Sequence, residues 1–277
     1  MKLSVVLITY NEEANLARTL ESVMPLVCDG KGEIIVVDSG STDRTVEIAK
    51  SFGAKVFVEE WKGYAAQKNS AMEKATGEWI LSLDADESID SDLASEIRHL
   101  ILGEARPPIK EGVATTAAVP VAHIVQGFLI PRKNFFLGRW IRHGGFWPDP
   151  KPRLFRRGSG QFENRLVHEN VKINGTSGNL ASGALLHHSY PTLTDYLEHM
   201  NHYSSLGGEI AAAQGYRHFS ILHIALRPLT TFIYNYFFRL GFLDGREGLL
   251  LHLYHAAYVS WKYAKAWELG RMKSPGK

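Results

Sequence analysis

Two aspartates, Asp84 and Asp86, close the stretch Trp79-Ile-Leu-Ser-Leu-Asp-Ala-Asp-Glu87. The apolar run Ile80 to Leu83 reads as a buried strand that delivers both carboxylates at its C-terminal end. Side chains alternate faces along a strand, so the two acids share one face and Ala85 points away. In an open parallel α/β sheet, ligands bind outside the carboxyl ends of the strands. Two carboxylates on one face there suit a hard divalent cation that also holds substrate phosphates. The same acids could equally be solvated or cap the next helix. The elements that position them decide between these readings.

From Leu3 to Ile101 strand and helix patterns alternate. Strand Leu3–Thr9 precedes a helix expected from about Asn11, with Glu12 and Glu13 in its first turn, where carboxylates favour the helix dipole. Leu16, Leu20, Val23 and Val27 give that helix an apolar face. Glu33–Asp38 is a second strand, Ser39-Gly-Ser-Thr-Asp43 its turn, and a helix follows to about Phe52, stopped by Gly53. Lys55–Val58 is a third strand, and a helix from about Tyr64 ends at Gly77. The strand carrying the two aspartates is fourth. Asp90 or Ser91 caps a helix through Leu93, Ile97, Leu100 and Ile101. This order predicts an α/β fold with a mostly parallel sheet and helices on both faces. Such a sheet brings three polar strand ends to one edge: Thr9-Tyr-Asn-Glu-Glu13, Asp38-Ser-Gly-Ser-Thr-Asp43 and Asp84-Ala-Asp-Glu87. There is no G-x-G-x-x-G after the first strand and no G-x-x-x-x-G-K-[ST], which argues against a dinucleotide oxidoreductase or a P-loop enzyme.

After Gly103 the rhythm changes. Residues 104–120, rich in Pro, Ala and Thr, read as a surface loop or insertion. Short strands mixed with Gly, Arg and Trp run to about Tyr190, and Thr192 to about Ala213 is helical. The expected organisation is one domain over 1–215, in two parts (1–103 and 121–191), followed by a basic, aromatic helical tail (216–277).

With 277 residues, 45% of them apolar, the chain can bury a sizeable core. A single cysteine, Cys28, excludes an internal disulfide framework and fits a reducing compartment. Met1-Lys2 runs straight into a strand pattern, so no signal peptide is expected. No uncharged apolar stretch reaches the roughly 18 to 20 residues of a spanning helix. These points set the cytoplasm as the expected location. The net charge of +2 hides an asymmetry, since nine Lys/Arg against three acids from Arg217 onward leave the tail at +6 and the rest at −4. A nucleic-acid partner is not expected, because the acidic first part would oppose it.

The strand-Thr-Tyr-Asn-Glu-Glu run, Val36-Val-Asp-Ser-Gly-Ser-Thr-Asp-Arg-Thr45, Gln67-Lys-Asn69 and Leu83-Asp-Ala-Asp-Glu87 resemble, in order and spacing, the inverting family 2 glycosyltransferases of GT-A fold. Further along, Phe135-Phe-Leu-Gly-Arg-Trp-Ile-Arg-His-Gly-Gly-Phe-Trp147, Arg153-Leu-Phe-Arg-Arg157, Val167-His-Glu-Asn170, His187-His-Ser-Tyr190 and Gly241-Phe-Leu-Asp-Gly245 are similar to one bacterial branch. That branch includes the lipopolysaccharide inner-core β-1,4-glucosyltransferases, which add glucose to a heptose. Residues 104–122 depart from the usual pattern in length and composition, where acceptor contacts are expected.

The resemblance implies a nucleotide-sugar donor, with UDP-glucose the expected one, and Mg²⁺ or Mn²⁺ bridging its diphosphate. It implies that Asp86 coordinates the metal and that Asp84 contacts the donor's ribose or sugar. Asp38 would hydrogen-bond the base, with Thr9, Tyr10 and Glu12 lining the pocket and Lys68 reaching the donor. Turn-forming and helix-capping chemistry is the competing role for Asp38 and, more strongly, Asp43. Ordinary packing competes for Tyr10, and an exposed helix lysine for Lys68. Inversion by single displacement needs a base for the acceptor hydroxyl. Glu169, 83 residues beyond Asp86, is the expected base. His168 could orient it or act itself, Glu87 is a rival, and a salt bridge to Arg153 or Arg165 is the structural alternative for Glu169. His187 is a possible third metal or phosphate contact, with His188 as runner-up. Arg153, Arg156 and Arg157 could hold a phosphorylated acceptor or the leaving diphosphate. The pairs His199/His202 and His252/His255 lack a carboxylate signature and read as solvated or packing histidines.

The tail mixes aromatics with arginines over residues 218–243 and again over 249–267. Arginines suit a spanning helix poorly. They suit an amphipathic helix at a membrane interface, or a helical subdomain packed on the core or a partner subunit. The expected acceptor is a lipid-linked saccharide, the lipopolysaccharide inner core first, at the inner face of the cytoplasmic membrane. The alternatives are an exopolysaccharide or polyprenyl-phosphate-linked glycan, a sugar-phosphate nucleotidyltransferase, and a non-catalytic membrane-bound scaffold.

Overall fold

A computed structural model describes residues 1–104, 125–163 and 171–272. They divide into two compact units, Met1–Arg132 with Pro150–His187, and Lys133–Asp149 with His188–Lys277. The expected boundary at residue 215 therefore falls inside the second unit.

In the first unit a seven-stranded sheet has the order β12-β6-β9-β4-β1-β2-β3. The strands are β1 (Leu3–Thr9), β2 (Gly32–Asp38), β3 (Lys55–Val58), β4 (Trp79–Ser82), β6 (Gly127–Ile130), β9 (Lys151–Arg156) and β12 (Ser177–Asn179). Only β9 runs against its neighbours β4 and β6. The pairs β1–β2, β2–β3, β1–β4 and β6–β12 are parallel. Alternation along β1 sorts the core. Leu3, Val5 and Leu7 pack on one face with Leu16, Leu20 and Val23 of α1 (Leu16–Val27) and with Leu93 and Ile97 of α4 (Ser91–Ile97). Val6 faces the other way, with Ala65, Ala71 and Met72 of α3 (Tyr64–Glu73). Helices thus cover both faces, as the near-continuous apolar strands require. Helix α2 (Thr45–Ser51) links β2 to β3. Asp90 caps α4 by accepting from Leu93 N at 2.9 Å.

The first helix begins later than its pattern predicts. It starts at Leu16, and Asn11 takes the left-handed backbone, with φ of 53°. Residues 11–15 form a loop because their polar groups bind a second loop instead of capping a helix. Thr42 N donates to Asn11 Oδ1, Glu13 N to Asp43 Oδ2 and Arg44 N to Glu13 Oε2.

Two smaller pairings complete this unit. Strand β5 (Glu87–Ile89) lies antiparallel to β13 (Leu185–Tyr190), with His187 opposite Glu87. Strand β10 (Gly160–Phe162) pairs with β11 (Val171–Ile173).

The second unit is mainly helical. A hairpin of β7 (Arg132–Phe136) and β8 (Arg139–Trp140) turns through Leu137 and Gly138, both with positive φ, as a two-residue hairpin demands. Helix α5 (Leu193–Ala213) opens with a capping box between Thr192 and Asp195. It packs on α7 (Gly245–Met272) through small residues, with Gly207 and Gly208 close to Lys262 and Lys265. This packing explains why α5 belongs with the tail. A shorter helix, α6 (Arg227–Ile233), precedes α7. Asp244 is buried and accepts from Arg142 N, His143 N and His143 Nδ1, which ties the 139–147 segment to the Gly241–Gly245 segment. A Cβ on Gly144 or Gly241 would lie 2.0 or 2.3 Å from the His252 ring, so both glycines are needed for close approach.

Candidate active site

The parallel strands β1, β2 and β4 end together. Thr9 is in register with Asp38, and Leu83 N donates to Val6 O at 3.1 Å. The three polar segments expected to meet therefore leave the sheet at one edge.

Asp84 and Asp86 lie in the turn between β4 and β5 rather than on the strand itself. Ala85 is buried while both aspartates keep partial exposure. The turn is fixed from both sides. Thr19 Oγ1 of α1 donates to Ala85 O at 2.6 Å, and Asp84 N donates to Glu87 Oε2 at 3.1 Å.

Asp84 is paired twice. Lys68 Nζ lies 2.6 Å from its Oδ1, and Arg153 of β9 bonds its Oδ2. Burial alone would raise the Asp84 carboxyl, but Arg153 and Lys68 hold it well below the usual range. Lys68 is itself buried, with its ammonium 5.2 Å from the Phe162 ring. It is no exposed helix lysine, contrary to the competing reading.

Glu87 is fully buried and also accepts from Arg132 Nη1 at 3.1 Å and Arg153 Nη2 at 2.9 Å. Burial would raise it, yet Arg153, with His187 and Arg132, keeps it lowered. A buried carboxylate with three donors and a depressed pKa makes a poor base. Glu87 instead holds the aspartate turn. The ladder across β5 and β13 then sets His187 Nε2 3.4 Å from Asp86 Oδ2. Burial keeps His187 below its ordinary pKa, against the pull of Asp86. His188, the next residue, stacks on Phe135 at 4.5 Å and is thereby accounted for.

Glu12 reaches the same edge. Burial raises its pKa, Asn15 Nδ2 opposes this with a bond to Oε2, and the charges of Asp86, Asp43 and Asp84 raise it further. Tyr10 is 59% exposed, which rules out its packing alternative. Asp38 is 1% exposed, and its carboxylate accepts from Thr9 Oγ1, Gly40 N, Ser41 N and Ser41 Oγ. These four donors match the lone pairs available, so in this conformation Asp38 builds the turn. Asp43 does the same, accepting from Thr45 N and Thr45 Oγ1. Glu169 and His168 lie outside the described residues. Arg153, weighed as a salt-bridge partner for Glu169, is committed to Asp84 and Glu87.

The donor set fits a divalent ion at Asp86 and His187. A neutral imidazole nitrogen and a carboxylate oxygen 3.4 Å apart are separated by more than a good hydrogen bond, and a cation binds both without competing protons. Asp84, already neutralised by two cations, does not fit as a ligand. Among the described residues no group of three or more His, Cys, Asp and Glu gathers for a metal, so substrate oxygens and water would complete the shell. Arg132 and the Asp84–Arg153–Glu87 linkage had no sequence signal, because they depend on partners 45 to 69 residues away.

A mostly parallel sheet with helices on both faces and a carboxylate cluster at its carboxyl edge matches the GT-A fold. A mannosyltransferase from Pyrobaculum calidifontis, solved with GDP-Man and Mn²⁺, shares this fold at a TM-score of 0.56, with 15% identity over 96% of this chain and 87% of that one. Residues 4–102 match the family model "Glycosyl transferase family 2". A glycosyltransferase of Rickettsia felis is 31% identical over 90% of this chain and 83% of its own length. The lipopolysaccharide core biosynthesis glycosyltransferase LpsC of Rhizobium meliloti is 27% identical over 99% and 95%. The chain belongs to glycosyltransferase family 2.

Proposed function

We propose that this glycosyltransferase moves a hexose, glucose from UDP-glucose first, with inversion onto a lipid-linked saccharide of the lipopolysaccharide inner-core type. The observation that carries this reading is the meeting of Asp84, Asp86, Glu12 and His187 at the carboxyl edge of β1, β2 and β4. The likeness to LpsC over nearly the full length supports the acceptor class.

Asp86 and His187 would hold Mn²⁺ or Mg²⁺, with Mn²⁺ favoured by the imidazole. Such an ion, when bound, neutralises the charge that develops on the leaving diphosphate. Asp84, held ionised by Lys68 and Arg153, accepts hydroxyls of the donor's ribose or sugar. The exposed Tyr10 ring and the Thr9–Asp38 corner receive the base, with Ser41 Oγ the donor on Asp38 that a base N–H replaces. Glu169 takes the acceptor hydroxyl proton as that oxygen forms its bond to the anomeric carbon and the bond to the diphosphate breaks. His168 orients Glu169. The protein acts at the inner face of the cytoplasmic membrane through its second unit.

The test is a panel of nucleotide sugars screened for Mn²⁺-dependent binding and slow hydrolysis. UDP-glucose should lead the panel. Binding of no nucleotide sugar overturns the reading, and preference for another sugar overturns its donor assignment.

A further inference from the structure

The site above uses none of the residues between Arg217 and Leu243. That segment of the second unit is helical from Ile221 to Phe238, with α6 between two π-helical turns, Leu222–Leu226 and Tyr234–Phe238. Leu222, Leu226, Leu229, Ile233 and Phe237 recur at intervals of three and four and are all exposed. They form one apolar stripe. Ile221, 68% exposed, and Phe238, 75% exposed, extend it, whereas Pro228 on the other side is buried. An exposed stripe of this extent marks an interaction surface.

Charge says what covers it. From residue 217 to 243 the charged side chains are Arg217, Arg227 and Arg239, without one carboxylate. Self-association through this segment would bring arginines of two copies together with no carboxylate of the segment to pair them. Residues 222–237 span about 24 Å as a helix, less than the roughly 30 Å of a bilayer core. No described helix is long and apolar enough to cross a membrane. A cationic, aromatic helix with an exposed apolar stripe suits the headgroup plane.

At the start of the helix is a cavity of about 160 Å³, lined by Tyr216, His218, Ser220, His223 and Tyr263 among others. That is room for about five waters. Ser220 Oγ and His223 Nδ1 lie 2.9 Å apart. Two cations lie near the ring of Tyr263, one of the lining residues, with Arg227 Cζ 5.2 Å and Lys262 Nζ 5.3 Å from its centroid. Burial first, and then the charge of Arg227, lowers the Lys262 pKa. Among the described residues no carboxylate forms an ion pair with Arg227 or Lys262. Two like charges on one ring without a counterion, beside a cavity to which Ser220 and His223 bring polar groups, favour an anion.

We propose that the cavity at Tyr216, Ser220, His223 and Tyr263, with Arg227 and Lys262, binds the phosphate of an anionic lipid headgroup while the helix 221–238 lies in the same lipid surface. This deepens the membrane part of the proposed function and is independent of the donor chemistry. The cavity and the stripe share one stretch of chain, since His223 lines the first and its neighbour Leu222 begins the second. A lipid satisfies both at once, whereas a free phosphate leaves the stripe exposed.

Co-sedimentation of the full chain with vesicles tests this, using phosphatidylcholine alone and phosphatidylcholine containing phosphatidylglycerol. Binding should require the anionic lipid. Arg227→Gln with Lys262→Gln should weaken it by about fivefold per charge removed. Leu229→Ser with Ile233→Ser, on exposed positions, should abolish it. Arg227→Gln alone keeps the test open if the Lys262 change disturbs packing. Mn²⁺-dependent donor binding should be unchanged in each variant, and its absence from the wild-type chain would count against the transferase reading and not against this one. Equal binding to neutral vesicles, or unchanged binding by the arginine and lysine variants, overturns the proposal. So does a stripe-dependent dimer in sedimentation, or saturation of the cavity by millimolar inorganic phosphate with no loss on vesicle competition.

Discussion

His187 stands directly across an antiparallel ladder from Glu87, and this register places its Nε2 3.4 Å from Asp86 Oδ2. One strand pairing thus brings a residue from far down the chain to the aspartate turn. His187→Ala should weaken Mn²⁺-dependent donor binding by about 10- to 100-fold, the range for disturbed metal environments. His188→Ala, which removes only the stack on Phe135, should leave that binding unchanged in the same calorimetric titration.

The pH dependence follows from the same residue. Burial lowers the His187 pKa below its ordinary 6.5. A metal competes with the proton for the neutral ring. Metal-dependent binding should therefore be flat above that value and fall only as pH drops through the lowered pKa. His187→Gln should remove this limb of the profile. A loss of binding on the alkaline side would contradict the assignment.

Arg153, itself buried, joins the partly exposed Asp84 to the buried Glu87. Arg153→Met leaves the buried Glu87 and the partly exposed Asp84 short of their main cation. Breaking a buried pair from one side costs about 3–5 kcal/mol, so a large fall in Tm is expected. Lys68→Met should cost less, because Asp84 keeps Arg153. Equal Tm values for both variants would sink this ordering.

Glu33 provides a second pH signature far from the site. Burial would raise it, but bonds from Lys55, Thr76 and Ser4 bring it to about 2. Its folded pKa is thus below its unfolded one. The stability it contributes is fully present above about pH 4.5 and is lost as pH falls toward 2. Glu33→Gln should cost about 1.5–3 kcal/mol at neutral pH and flatten the acid limb of a Tm-against-pH series.

Much of this architecture was legible in the chain. Apolar runs of strand length ending in polar turns predicted β1 to β4, and the parallel order brought their ends together. The capped start of α4 at Asp90 was also readable, because Asn/Asp/Ser caps act locally. The start of α1 was not. Asn11 and Glu13 have good capping chemistry, but they spend it on the loop at 42–44, some 30 residues away. The burial of Lys68 and the anchoring by Glu87 were likewise hidden, since both depend on β9 and on the β5–β13 ladder. Long-range pairings of that kind leave no periodic trace. Residues 105–120 of the Pro-, Ala- and Thr-rich stretch and the expected base Glu169 fall outside the described residues.

The most direct test of the account is calorimetric titration of UDP-glucose in Mn²⁺ against the wild-type chain and Asp86→Ala. The account predicts saturable, Mn²⁺-dependent binding by the wild type that Asp86→Ala abolishes. Equal binding by both proteins, or binding indifferent to the metal, would contradict it.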